Sequence, residues 1–336
     1  MKAIVIRSKL ELVETELPTP EPQAGQVRLR MAYGGICGSD LHYYHEGANG
    51  SYVVREPLVP GHELSGTVDL DPSGELTPGT PVTIHPATFG TPEPGIEDRP
   101  HLWPNGAYLG SASTWPHTQG GMREFIVVGN HMVRTLPASL PLRRAALAEP
   151  LAVALHAIAI ADGVKDKRVL VSGSGAIGLL AASAALSAGA AEVVTTDVLP
   201  GPLRRARDLG VHGTLQVGTD EIPAGYFDVV LECTAVPAAI SAALAATRRA
   251  GTVVLVGIPA DEPRGVNLAP LVSRELQLRG TLRFNNEIDE AIQLLTTNPA
   301  LDQVITHEYP ADQAVDAFAT ATNSDLSGKV LLALWP

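Results

Sequence analysis

Three residue types that bind metals stand far apart in this chain. Cys37 lies in the run GGICGSDLH, His62 and Glu63 in PGHE, and Glu149 in AEPLAVALHA. A thiolate, an imidazole and one carboxylate make a three-ligand shell for zinc that leaves a fourth position open, as a catalytic zinc requires. The spacings, 62 − 37 = 25 and 149 − 62 = 87 residues, exclude a local finger, so only a fold can bring these groups together. On residue chemistry alone either Glu63 or Glu149 can be the third ligand.

A second constellation follows. The apolar run RVLVSG leads into Gly173-Ser174-Gly175-Ala176-Ile177-Gly178, the pattern G-x-G-x-x-G between a strand and a helix. The glycines permit a tight turn, close approach of a pyrophosphate and close helix packing, while the helix N-terminus offers N–H donors to phosphate. Asp197 ends the next strand-like run, 197 − 178 = 19 residues on. An acid there accepts from the adenosine ribose hydroxyls and repels a 2′-phosphate, which favours NAD over NADP. Arg204 and Arg205 follow on a helical stretch and read as a solvated face.

Two kinds of scaffold must carry these groups. Before about residue 150 the chain is punctuated by Pro and Gly and reads as short strands and loops, among them MKAIVIR, VRLRMAY, LSGTVDL and MREFIVV. From Val169 apolar strands alternate with Ala-rich helices, the mark of an α/β parallel sheet wrapped by helices. Two helical patterns, Asp289–Thr297 and Asp312–Thr320, and a closing strand at Lys329–Leu334 complete the chain.

Composition excludes several function classes. The net charge of −12 without a basic block argues against nucleic acid or anionic lipid as partner. Two cysteines cannot staple a secreted scaffold or build a polythiolate zinc site. The start MKAIVIRSKL has no leader pattern, and the uncharged stretch Gly173–Ala191 reads as a buried helix, so no membrane span and a cytoplasmic address are expected. Cys233, ending a strand, reads as a small buried hydrophobe.

CGSDLHYY, then PGHE, then AEPLAVALHA ahead of the glycine fingerprint resemble the zinc-dependent medium-chain alcohol dehydrogenase superfamily. The strings GGICGSDLHYY-x-EG, GSA-x3-PH-x2-GG, AEPLAVA-x-HA, GYFDV and LRG-x2-RF are similar to its polyol dehydrogenase branch, and in particular to the L-idonate 5-dehydrogenases. The resemblance runs through the closing GKVLLAL. It implies a GroES-like β-rich catalytic domain over residues 1–148 with 285–336, and a Rossmann domain over 149–284 with a doubly wound parallel six-stranded sheet.

The resemblance also implies roles. Cys37 and His62 match zinc ligands, with Glu63 or Glu149 as the third. Asp40 would accept from the His62 ring N–H. Ser39 matches the hydroxyl that takes the alcohol proton, and His42 would carry the relay toward solvent. Tyr43 and Arg283 match residues near substrate hydroxyls, with Arg283 able to pair a carboxylate, and Trp115 and His117 would wall the pocket. Phe284 replaces a tyrosine of sorbitol dehydrogenases. Together these imply hydride transfer between NAD and a secondary alcohol of a small-molecule sugar acid or polyol, with L-idonate/5-ketogluconate as the expected pair. The edge strand near Leu276–Thr281 implies a homo-oligomer, dimer or tetramer.

Three alternatives remain at this point. One is a sorbitol-, galactitol- or threonine-type zinc dehydrogenase. Another is a zinc-free reductase of the superfamily, and the third is a non-catalytic nucleotide-sensing protein on the same scaffold. Many superfamily members hold a structural zinc with four cysteines in the lobe after GHE. Here that stretch, His85–Gly110, has none. Metal analysis of purified protein is therefore expected to give one zinc per chain; two per chain would contradict the reading.

Overall fold

The structure, a computed structural model, describes residues 1–259 and 261–335. Its first sheet grows from the alternation in the strand Gln26–Gly35, which turns Val27, Leu29 and Met31 into one core. Glu63–Leu70 pairs antiparallel on one side of this strand, followed outward by Pro81–Ile84 and Val133–Thr135. On the other side lies Lys329–Ala333, and beyond it Ile305–Pro310 in parallel. Phe125–Gly129 also pairs with Gln26–Gly35. The closing strand thus returns nearly the whole length of the chain to lie beside an early one.

The second sheet has the order Gly213–Gln216, Glu192–Asp197, Arg168–Ser172, Phe227–Glu232, Thr247–Leu255, Gln277–Gly280, with every pairing parallel. This is the six-stranded doubly wound arrangement, in which the order reverses between the first and fourth strands and opens a crevice at their carboxyl ends. Gly173 follows Arg168–Ser172 at that crevice. The helices Ala148–Ile160 and Ala176–Ser187 are apolar almost all round because both are buried, and their alanines allow close approach. The helix Ile288–Thr297 drives Ile288, Ala291 and Leu295 into the same core, so the chain after residue 285 covers the parallel sheet before it rejoins the first one.

Two local features carry weight at the sites. The lobe His85–Gly110, which has no cysteine, is braced by a short antiparallel pair, Ala87–Thr88 with Ala107–Tyr108, and by the Trp103 indole donating to the Ile96 carbonyl at 2.9 Å. Arg205 departs from the expected solvated face. Its guanidinium donates to the carbonyls of Ser324, Asp325 and Ser327, because the C-terminal segment passes over its helix, whereas Arg204 is exposed as expected.

The glycine turn is sterically closed. Gly173 has φ +90°, and a Cβ on Gly178 would stand 1.8 Å from the Gly173 carbonyl oxygen. A backbone atom cannot retreat as a flexible side chain would. Gly178→Ala is expected to cost about 1–3 kcal/mol in overpacking and to weaken dinucleotide binding, read by thermal unfolding with and without NAD. An unchanged melting temperature and NAD response would contradict this packing.

Candidate active site and its relatives

Three strand ends build the metal site. Gln26–Gly35 delivers Cys37, the N-terminus of Glu63–Leu70 delivers His62 and Glu63, and Lys329 opens the closing strand. Ladder pairing sets Gly35 directly opposite Glu63, and a Cβ on Gly35 would lie 2.1 Å from Glu63 Oε2. Glycine at that position is what lets the carboxylate lie across the strand.

The ligand atoms of Cys37, His62 and Glu63 all lie within 4.8 Å of one another. Glu149, at the start of its helix, is outside this group and accepts a 2.5 Å hydrogen bond from the Tyr108 hydroxyl. Between the two carboxylates considered for the third position, the geometry groups Glu63 with the thiol and imidazole. One Glu63 oxygen is held at 2.6 Å by the buried Lys329 ammonium, which also donates to the Ile36 carbonyl at 3.1 Å.

This cluster fits a divalent cation. His62 Nδ1 and Glu63 Oε2 are buried without hydrogen-bond partners, an arrangement that is costly unless a ligand satisfies it. The charges say the same. Burial would lower the His62 pKa, but Cys37, Glu149 and Asp40 outweigh it and lift the imidazole to about 10. Burial raises the pKa of Glu149. Sulfur, nitrogen and carboxylate oxygen are the donor set of zinc.

Asp40 corrects one expectation. It does not accept from the His62 ring. Its Oδ2 takes the Cys37 amide at 3.0 Å and its Oδ1 the Gly61 amide at 3.1 Å, fully buried. The carboxylate reaches back to the start of the helix Gly38–Glu46, where unpaired N–H groups need acceptors, and so pins the two turns that carry Cys37 and His62.

The cofactor side is equally explicit. Gly175 has open space where a Cβ would be, and Ala176 begins the helix whose N-terminus faces that space. Asp197 accepts from the Ser174 amide and the Leu199 amide, each at 2.9 Å, so the acid fixes the glycine turn while keeping lone pairs for hydroxyl donors.

A cleft of about 980 Å³ joins the two sheets. Cys37, Ser39 and His62 line it from one side, Ile177 and Val256 from the other. Tyr43 and Arg283 line it as well. The Tyr43 hydroxyl already accepts from the Ala112 amide at 3.1 Å and lies 3.3 Å from Ser111 Oγ, so it braces the adjoining loop. The Arg283 guanidinium lies 3.9 Å over the Tyr108 ring.

Other expected residues lie elsewhere. His42 is exposed, outside the cleft lining, with Nδ1 3.0 Å from Glu46 Oε1, because its position on the helix turns it to solvent. His117 is a loop anchor, not a wall: Nε2 accepts from the Arg55 amide at 2.9 Å and Nδ1 lies 2.9 Å from the Thr114 carbonyl. Trp115, by contrast, does line the cleft, at an exposed position, and Phe284, which replaces the tyrosine, is buried against His85.

Comparison with known proteins decides the family. Residues 23–138 match the alcohol dehydrogenase GroES-like domain and residues 176–297 the zinc-binding dehydrogenase domain. The chain is 35% identical to L-idonate 5-dehydrogenase (NAD(P)(+)) of Escherichia coli, covering 90% of each chain. It is also 35% identical to sorbitol dehydrogenase of Gallus gallus, covering 96% of this chain and 94% of that one. This chain belongs to the zinc-dependent medium-chain dehydrogenases, in their polyol branch. The solved structure of Escherichia coli L-idonate 5-dehydrogenase superposes with TM-score 0.93 at 32% identity, covering 99% and 97% of the two chains. Galactitol-1-phosphate dehydrogenase from the same organism gives 0.88 at 28%, covering 99% and 100%. The protein is thus an oxidoreductase, and zinc and NAD(P) are the cofactors of its family. No helix among the described residues is long and apolar enough to cross a membrane.

Two residues of this dehydrogenase's site escaped the sequence reading. Lys329 carries one faint signal, a lysine opening an otherwise apolar buried strand. Tyr108 carries none. Removing one partner of a buried ion pair leaves an uncompensated charge, a loss of about 3–5 kcal/mol. Lys329→Met is therefore expected to lower the melting temperature of chelator-treated protein, and to lower it less when zinc is present to neutralise Glu63. Equal losses in both states would show that Glu63 does not meet the metal.

Proposed function

We propose that this dehydrogenase oxidises a secondary alcohol of a sugar acid, with L-idonate/5-ketogluconate as the pair, and uses NAD in preference to NADP. The observation that carries the sugar-acid reading is Arg283. It is a cation on the cleft for which no carboxylate partner exists among the described residues, held over the Tyr108 ring and able to meet an anionic substrate end. A guanidinium recognises a carboxylate with two parallel donors. Lys329, a buried cation nearby, is already committed to Glu63.

Cys37, His62 and Glu63 would hold the zinc, whose Lewis acidity lowers the pKa of an alcohol. Gly173, Gly175, Ala176, Ile177 and Gly178, with Asp197, would hold the dinucleotide, whose nicotinamide supplies the hydride acceptor. The remaining work belongs to the chain. Ser39 Oγ takes the substrate hydroxyl proton from its place on the cleft. His42 lies too exposed to be walled in, and it passes the proton onward only through solvent. Arg283 fixes the far end of the substrate, and closure of the two lobes excludes water. The acid at Asp197 disfavours a 2′-phosphate. The free edge strand Gln277–Gly280, with Leu278 partly exposed, supports assembly as a dimer or tetramer.

Equal identity to sorbitol dehydrogenase favours a second reading, a neutral polyol substrate. A panel of L-idonate, gluconate, sorbitol, galactitol and L-threonine, each with NAD and NADP, separates the two. The expected result is the highest kcat/KM with L-idonate and NAD; a maximum with sorbitol would overturn the sugar-acid assignment. Ser39→Ala is expected to lower kcat by about 10²–10⁴ while leaving bound zinc unchanged. Full activity in that variant would remove Ser39 from the proton path.

A further inference from the structure

Tyr108 touches three parts of the site at once. Its hydroxyl donates to Glu149 Oε1 at 2.5 Å, its ring carries the Arg283 guanidinium at 3.9 Å, and its edge meets the His62 ring at a centroid distance of 5.4 Å. It is buried, on the hairpin strand Ala107–Tyr108 at the end of the cysteine-free lobe.

We propose that Tyr108 is a positioning residue with two separable tasks: its hydroxyl restrains Glu149 outside the metal-ligand group, and its ring aims Arg283 into the cleft. The inference rests on the dehydrogenase reading above. It explains why one chain carries two buried glutamates beside its thiol and imidazole while only Glu63 joins their cluster. Glu149 lacks the ammonium partner that Glu63 has, and the phenol holds it instead with a short hydrogen bond. Without that bond the carboxylate is free to swing toward the nearest cation.

The ring task follows from the backbone. Arg283 has φ +52°, a left-handed conformation uncommon for a residue with a side chain. Its guanidinium makes no ion pair among the described residues, so the face of Tyr108 is what sets its direction. A cation over a ring face is held by the ring quadrupole while its N–H edges stay open to a ligand.

Substitution separates the tasks. Tyr108→Phe keeps the ring and removes the hydroxyl; Tyr108→Leu removes both. Each is loaded with cobalt(II) in place of zinc, and the visible absorption is read without substrate, so this arm does not depend on turnover. The expected result is a changed cobalt spectrum and a changed rate of metal loss to chelator in Tyr108→Phe. That change should vanish in a Glu149→Gln background, which also controls for misfolding. A Tyr108→Phe spectrum superposable on that of the unsubstituted enzyme would overturn the restraint. In steady state, Tyr108→Leu is expected to raise KM for a sugar acid roughly tenfold over Tyr108→Phe while sparing KM for a neutral polyol. Equal KM values in the two variants would overturn the aiming role. Loss of the dehydrogenase reading would show differently, as no turnover by the unsubstituted enzyme on any substrate of the panel.

Discussion

Everything at this site answers to one electrostatic constraint. Cys37, Asp40, Glu63 and Glu149 converge at the largely buried base of the cleft, where the buried groups His62 and Lys329 meet them. Burying carboxylates without counter-charge is among the costlier acts a fold can perform. The titratable groups register the strain: Cys37, Glu149 and Asp40 raise the His62 pKa well above its usual range despite its burial, and burial raises those of Glu149 and Asp40. A divalent cation solves the same problem with the donor atoms that remain unpaired. The family's zinc is thus a charge that the architecture is built to receive, as well as a reagent.

Holding such a cluster requires elements from the extremes of the chain. Lys329 reaches Glu63 across 266 positions, and the Tyr108 hydroxyl reaches Glu149 across 41. The first sheet makes this possible by inserting the C-terminal strand beside Gln26–Gly35, so the cation and the carboxylate emerge from neighbouring ladders. Asp40 then locks the turns around the ligands through backbone amides. Rigid turns matter here because metal geometry tolerates displacements of only a few tenths of an ångström.

Local signals in the sequence were read well where local physics decides. The glycine turn, the strand–helix alternation and the period-two strands each express a constraint spanning a few residues, and each is present in the fold. Residues whose role depends on a distant partner were read less well. Asp40 was matched to a ring and instead serves amides, since a capping acid and a histidine acceptor look alike in a string. His117 turns from the pocket wall into a loop anchor, and Arg205 from solvent to a C-terminal segment some 120 positions away. Tyr108 is invisible and Lys329 nearly so, because an aromatic on a two-residue strand and a lysine opening an apolar strand carry little mark of the carboxylates they meet.

The substrate end of the cleft is organised by the same economy of charge. On the cleft lining Arg283 is a cation without a carboxylate partner among the described residues, and it is held over the Tyr108 ring instead. The central claim, that the buried cluster is completed by a single zinc, is tested most directly by calorimetric zinc titration of chelator-stripped protein in buffers of differing ionisation enthalpy. Ligands must be deprotonated to bind metal, and Cys37, Glu149 and Asp40 outweigh burial to raise the His62 pKa to about 10. The account predicts one zinc per chain with at least one proton released on binding, and loss of that binding in Cys37→Ser. Zinc uptake without proton release, or binding unaffected by Cys37→Ser, would contradict it.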